Sequence, residues 1–142
     1  MLAQGVTRLS LVLLALGGVG CAQDCKTTSS ASVVYNGGHV DSTASVYETN
    51  AWDEPWLHFP PGRRFVFEHG LGVEPYVVNT YLSFSENPLT SSNNASESAG
   101  NQAVIEAVTD EFVRIRNDSC ADFYLRVTAA RAPGDLPDAG TD

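Results

Sequence analysis

The sequence is poor in positive charge: its 142 residues contain a single lysine, Lys26, and eight basic side chains in total against 17 acidic ones. All of the acids lie at or after Asp24, so loss of an N-terminal segment that contains Arg8 would leave a net charge of −10. A surface of that sign repels phosphate backbones and anionic lipid headgroups. We therefore expect no nucleic-acid partner.

Long apolar runs and helical periodicity are also missing. The apolar run over residues 9–19 has about half the length that a membrane-spanning helix needs. No window of a dozen residues repeats its apolar side chains with the 3.6-residue period of an amphipathic helix, and 18% charged residues is too few for a coiled coil. These absences exclude a membrane-spanning helix and a helical bundle.

Motifs for catalysis and metal binding are absent as well. The chain has no Gly-x-Ser-x-Gly segment, and its three histidines, His39, His58 and His69, lie in different segments without a partner at helix or hairpin spacing. No spacing of cysteine and histidine fits a zinc site. We expect neither an enzyme nor a bound metal or cofactor.

The N-terminus has the pattern of a secretion signal. Residues 1–8 carry one positive charge and no acid, and the following apolar run ends in small residues just before Cys21. This segment resembles the signal peptide of bacterial lipoproteins, in which the cysteine after the cleavage site is lipidated, although Gly18 stands where that family favours leucine. The resemblance implies a membrane anchor on Cys21 and, because no aspartate follows it, an outer-membrane or cell-surface location. Cleavage after Ala22, which would release a secreted or periplasmic soluble protein, is the alternative.

The three cysteines fit an exported protein. If Cys21 is lipidated or removed with the signal, Cys25 and Cys120 remain. An even number of cysteines in an oxidising compartment predicts a disulfide between them, with two unpaired thiols as the alternative.

The rest of the chain reads as short strands. Apolar and polar residues alternate in runs separated by Gly, Pro, Asn and Asp. The pattern predicts an all-β fold, a small antiparallel β-sandwich of about eight short strands, over residues 32–35, 44–49, 56–59, 64–68, 76–84, 103–108, 112–117 and 123–128. We expect a signal peptide over residues 1–20, a tether over 21–30, the sandwich domain over 31–131 and a disordered tail over 132–142.

The last three runs predict a meander with a definite register. If paired residue numbers sum to 220 and then to 240, Ile105 faces Ile115 and Ile115 faces Leu125 on one apolar face, with Ala107, Val113 and Val127 beside them. The other face would pair Glu106 with Arg114, Arg114 with Arg126, and Arg116 with Tyr124.

One stretch carries a second, short resemblance. The segment Phe65 to Pro75, Phe-Val-Phe-Glu-His-Gly-Leu-Gly-Val-Glu-Pro, together with the later strands resembles the β-sandwich modules of phage tail and fibre proteins. The resemblance implies a sandwich fold and a role in surface recognition.

Aromatic residues are most concentrated over residues 52–61, where Trp52 and Trp56 flank Pro55. Two tryptophans four apart could form a stacking platform for sugar rings or an interface hot spot, or else both could be buried in the core. A second candidate surface is a cationic patch of Tyr124, Arg116 and Arg126, unless these arginines form a cross-strand ladder with Glu106.

The leading hypothesis is thus a lipid-anchored module that binds a surface glycan or an envelope protein through residues 52–59 or the polar connection over residues 86–101. The alternative is a structural envelope lipoprotein without a small-molecule ligand. Exposure of both tryptophans would favour binding, and burial of both would favour the structural role.

Overall fold

A computed structural model of the protein describes residues 31–90 and 94–134. Those residues form ten β-strands and contain no helix. The strands are β1 (Ser32–Tyr35), β2 (His39–Val40), β3 (Val46–Glu48), β4 (Leu57–Phe59), β5 (Arg64–Glu68), β6 (Val77–Ser83), β7 (Ser96–Glu97), β8 (Val104–Val108), β9 (Phe112–Arg116) and β10 (Phe123–Ala130).

The strands form two sheets that pack as a sandwich, as predicted. The four-stranded sheet has the order β1-β5-β9-β8, and the six-stranded sheet has the order β2-β3-β10-β6-β7, with β4 pairing with the same edge of β10 as β3. The apolar side chains of alternate positions fill the space between the sheets, where Phe59, Phe67, Ile115, Leu125 and Val127 are fully buried. Period-two alternation therefore places one face of each long strand in the core.

All eight predicted runs contain an observed strand. The strands β1 and β5 have the predicted bounds, and the other six differ by one or two residues at one or both ends. The two strands that the sequence pattern did not predict, β2 and β7, have two residues each. Runs this short carry no alternation from which they could be predicted.

The predicted C-terminal meander is wrong, because β9 and β10 lie in different sheets. The strand β9 pairs with β5 and β8, whereas β10 pairs with β3, β4 and β6. The connection between them is held by the buried side chain of Asn117, whose amide donates to the carbonyl oxygens of Phe59 (2.8 Å) and Ala121 (2.9 Å). Its Oδ1 accepts the backbone N–H of Ser119 at 3.0 Å. Residues 117–122 thus carry the chain from one sheet to the other.

The register of the first predicted hairpin is confirmed only in part. Ile105 pairs with Ile115, but a β-bulge follows, so that Ala107 pairs with Arg114 and Glu106 faces no residue directly. Ile115 and Leu125 are fully buried, whereas Ile105 is 40% exposed because β8 is an edge strand.

One strand pair departs from the predicted antiparallel arrangement. Strand β1 pairs with β5 in parallel, with Ser32 opposite Arg64 and Tyr35 opposite Phe67. Parallel neighbours need a long connection, and here the chain passes through β2, β3 and β4 of the other sheet before it returns.

The proposed tether and most of the proposed tail lie outside the described residues, as do the signal peptide and Cys21. Within residues 31–90 and 94–134, no helix is long and apolar enough to cross a membrane.

Candidate functional site

The outer face of the six-stranded sheet carries a row of aromatic side chains on β10 and on the strands next to it. Tyr124 and Arg126 are two residues apart on β10, so they project from the same face. His58 of β4 is the cross-strand partner of Tyr124, and Tyr81 of β6 is that of Arg126. We call the four side chains Trp52, Tyr81, Tyr124 and His58 the aromatic strip.

Trp52 reaches this face from a turn rather than from a strand. The backbone N–H of Glu54 donates to the carbonyl of Ala51 (3.4 Å), and the Glu54 carboxylate accepts the N–H of Ala51 (2.8 Å). At the neck of the turn, the side-chain amide of Asn50 donates to the carbonyl of Pro55 at 2.6 Å. This closed turn holds the Trp52 indole over β10 with 40% of the residue exposed.

The guanidinium of Arg126 lies beneath the indole. Its Cζ is 4.4 Å from the Trp52 ring centroid and 5.8 Å from that of Tyr81, and only 1% of the residue is exposed. Nε donates to the carbonyl of Asn50 (2.9 Å), and Nη2 lies 2.9 Å from Oε1 of Glu48 in an ion pair that lacks hydrogen-bond alignment. A cation under an indole attracts its π-face, so Arg126 fixes Trp52 in place.

Tyr81 and Trp56 complete the support of Trp52. The Tyr81 ring meets the indole edge-on with a centroid distance of 4.9 Å, and the Trp56 ring lies 5.6 Å away. Trp56 itself is only 2% exposed. Of the two tryptophans predicted to form a platform, the structure thus exposes Trp52 and buries Trp56, whose ring packs against that of Trp52.

The other end of the strip is more polar. The imidazole of His58 lies over the Tyr124 ring with a centroid distance of 5.5 Å, and its Nε2 is 2.9 Å from a carboxylate oxygen of Asp122. Both His58 and Asp122 are exposed. This end therefore offers an aromatic surface next to hydrogen-bonding groups.

The predicted cationic patch is not formed, because the structure places Arg116 on the other sheet. Arg116 Nε lies 2.7 Å from Glu106, whose carboxylate also binds Arg64 through Nε at 2.6 Å, and Arg116 contacts Asp118. These charges form a ladder across β5, β8 and β9. The ladder that the sequence left open joined both Arg116 and Arg126 to Glu106, and only Arg116 takes part, since Arg126 lies on the other sheet. Hydrogen bonds from Arg64 and Arg116 lower the pKa of Glu106 to about 2.

The other two histidines, His69 and His39, contact backbone groups and a carboxylate, respectively. His69 is buried, and its Nε2 lies 3.0 Å from the carbonyl of Thr109 while Nδ1 accepts the N–H of Leu71 at 3.1 Å. Both ring nitrogens therefore bind backbone groups and hold the turn after β5, where Gly70 has φ 63°. His39 lies 3.8 Å from Glu48 at the sheet edge.

Two open grooves lie outside the strip, and the first reaches its margin at Glu97. One, of about 350 Å³, runs between β6 and β8 and is lined by Val78, Thr80, Glu97, Val104 and Ile105. The other, of about 470 Å³, lies at the end of β5 and β9 beside Glu68, Asp110 and Glu111. In the described part of the chain, no group of three His, Cys, Asp or Glu side chains could hold a metal ion.

The connection over residues 86–101 is not wholly irregular. It contains β7, which pairs with β6 so that Glu97 lies opposite Tyr81. Because residues 91–93 lie outside the described ranges, a role for the tip of this connection in ligand contact stays a prediction.

The sequence pointed to residues 52–59 and to Tyr124 and Arg126 as two separate candidate surfaces, which the structure brings to one face. It did not indicate Tyr81 or Glu48 as their neighbours. Tyr81 lies in a predicted strand of nine residues that has large side chains on both faces. Alternation alone therefore does not show which face of this strand lies next to Trp52. The pairing of β6 with β10 carries that information.

Comparison with known proteins identifies no relative of this chain. No protein-family model, no curated protein and no solved structure matches it.

Proposed function

We propose that this protein is an exported recognition module that binds a surface glycan on the aromatic strip. The observation that carries the proposal is the exposed indole of Trp52, held against Tyr81 and Arg126 on the outer face of a rigid sheet. A flat aromatic surface stacks well against the C–H face of a sugar ring, and a pre-positioned ring loses little conformational entropy on binding.

The surroundings of the strip favour a glycan over an envelope protein. Asp122 and His58 at one end and Glu48 and Glu97 at the other can exchange hydrogen bonds with hydroxyl groups. The core of a protein interface is instead depleted of charged residues around its aromatic anchors. The row of aromatic rings also extends over several strands, which suits a chain of sugars.

We further propose that the module is anchored through a lipid on Cys21 and stapled by a disulfide between Cys25 and Cys120. Cys120 lies in the crossing connection between β9 and β10, whereas Cys21 and Cys25 lie outside the described residues. An intact mass of the exported product tests both features. A diacylglyceryl or triacyl increment supports the anchor, a start at Gln23 contradicts it, and a further two-proton mass gain on reduction supports the disulfide.

A structural envelope lipoprotein is the second candidate. The observation that favours it is the burial of Trp56 and of the Arg126 guanidinium, because Trp52 then serves as a cover for a buried charge. On this alternative, the strip has no ligand.

A glycan array probed with the full exported chain separates the two candidates. We expect enrichment of one glycan class by the wild type, loss of that signal in Trp52→Ala, and retention of the signal in Tyr76→Ala. Tyr76 is a matched control because it is an exposed aromatic residue outside the strip. Absence of any enrichment, or equal binding by the Trp52→Ala variant, would favour the structural role.

A further inference from the structure

The charges of the described chain are divided unequally between the two outer faces of the sandwich. Of the six described arginines, Arg64, Arg114 and Arg116 lie on the four-stranded sheet. Arg63 precedes β5, and Arg131 contacts the carbonyl of Leu71. Within residues 31–90 and 94–134, Arg126 is the one arginine on the face that carries the aromatic strip.

The positive charge of Arg126 is not available to a ligand. Its side chain is buried, covered by Trp52 and paired with Glu48. The exposed charges around Trp52 are carboxylates instead. Asp53 is its neighbour in the turn, and Glu97 is the cross-strand partner of Tyr81, which places Glu97 on the same face.

The position of Arg126 also limits how a cation can bind. A quaternary ammonium group would be held by the faces of several aromatic rings. Here the space between Trp52 and Tyr81 already holds the guanidinium of Arg126. A ligand cation must therefore approach the margins of the strip, where the carboxylates lie, while an uncharged part of the ligand covers the exposed indole.

From this juxtaposition we propose that the strip prefers glycans with unacetylated amino sugars, in which a ring stacks on Trp52 and its ammonium group pairs with Glu97 or Asp53. The inference rests on the proposed glycan-binding function and adds the charge of the ligand to it. An acidic glycan would bring its carboxylate towards Asp53, Glu97 and Glu48, and no accessible arginine or lysine of the described face would compensate it.

Isothermal titration of the full exported chain with three trisaccharides tests the preference. The probes are a glucosamine trimer, an N-acetylglucosamine trimer of the same linkage and a galacturonate trimer, at a pH below the pKa of the amino group. We expect the glucosamine trimer to bind about fivefold more tightly than the N-acetylated trimer, because one exposed ion pair contributes up to about this factor. Added salt should reduce the difference.

Two charge-removing variants assign the effect to the strip. Glu97→Gln should reduce the preference for the glucosamine trimer to about twofold, whereas Glu68→Gln should leave it unchanged, since Glu68 is an exposed carboxylate on β5 of the other sheet. Both sites are exposed, so neither change should prevent folding.

Equal or tighter binding of the N-acetylated trimer would overturn the amino-sugar preference and leave glycan binding in place. Tighter binding of the galacturonate trimer would overturn it as well. If none of the three trimers binds, this inference fails, and the glycan array with Trp52→Ala decides separately whether the strip binds any glycan.

Discussion

Trp52 and Trp56 are four positions apart and have opposite environments, which is the central observation at the scale of single residues. Trp56 directly precedes β4, its backbone N–H donates to the carbonyl of Glu86 at 2.8 Å, and its ring is buried against that of Trp52. Trp52 sits in the turn closed by Asn50 and Pro55 and remains on the surface. The residue type alone does not predict this difference in exposure, because it depends on where each tryptophan lies relative to the start of β4.

The support of Trp52 by Arg126 can be measured as stability. Arg126→Leu removes a buried cation that contacts Trp52, Asn50 and Glu48, and we expect the free energy of unfolding to fall by about 2 kcal/mol in urea titrations. Arg114→Leu, on the outer face of the other sheet, should cost less than about 1 kcal/mol. Equal losses in the two variants would show that Arg126 does not hold the site together.

Asn117 provides a second prediction at this scale. Its buried amide donates to two carbonyls, and replacement by alanine leaves those carbonyls without these donors. Asn117→Ala should therefore lower the free energy of unfolding by about 2 to 3 kcal/mol, measured by denaturant unfolding. The exposed Asn101, which makes one long hydrogen bond of 3.4 Å to Asp118, is the control and should change stability by less than about 0.5 kcal/mol when replaced by alanine. A loss at Asn117 no larger than that at Asn101 would contradict its role in the crossing connection.

At the scale of elements, alternation predicted the strands well and their neighbours poorly. Ile115 of β9 and Leu125 of β10 are both buried, as a meander would require, but they belong to opposing sheets. Two strands that face each other across a core show the same alternation as two strands that pair edge to edge. Strand existence was thus predictable from local pattern, whereas partner choice depends on the connection that Asn117 organises.

The same reasoning explains why the candidate site was predicted only in part. Arg116 and Arg126 were expected on one polar face because the meander placed them there, and they separate once β9 and β10 separate. Glu106 was expected opposite Arg114, but the bulge in β8 turns it towards Arg64 and Arg116. Bulges and crossings arise from tertiary packing, which a strand pattern does not record.

The charge ladder predicts a pH dependence of stability. Because the pKa of Glu106 is lowered to about 2 in the folded protein from a usual 4.5, the unfolded chain binds its proton more readily as the pH falls. The stabilisation from this carboxylate is fully present above pH 4.5 and is lost as the pH falls towards 2. Glu106→Gln should therefore destabilise the protein near neutral pH and flatten the fall in unfolding free energy over this window. An unchanged acid profile in Glu106→Gln, relative to a Glu111→Gln control, would contradict the ladder.

At the scale of the whole molecule, the two outer faces carry different kinds of side chain. The four-stranded sheet carries arginines and acids that bind one another, and the six-stranded sheet carries aromatic rings with carboxylates at the margins. The core between them is apolar and continuous, with Phe59, Phe65 and Phe67 in ring contact. A packed core behind a face of exposed aromatic side chains agrees with the proposed recognition module.

The proposed disulfide acts on the same scale, because Cys25 and Cys120 are far apart in sequence. Closure of a loop of roughly 95 residues would stabilise the fold by about 4 kcal/mol in the chain-entropy description. Cys120→Ser should therefore lower the midpoint of urea unfolding, and reduction of the wild type should have the same effect. A wild type whose unfolding midpoint does not respond to reductant would contradict the disulfide.

The binding role of Trp52 is tested most directly by the affinity of one matched series. The glycan selected by the array is titrated calorimetrically into the full wild-type chain and into Trp52→Phe, Trp52→Ala and Tyr76→Ala, each with its fold checked by circular dichroism. Because truncation of a tryptophan at a binding hot spot costs about 2 kcal/mol or more, Trp52→Ala should weaken binding at least about tenfold, Trp52→Phe less, and Tyr76→Ala not at all. An affinity that stays the same when folded Trp52→Ala replaces the wild type would contradict the account.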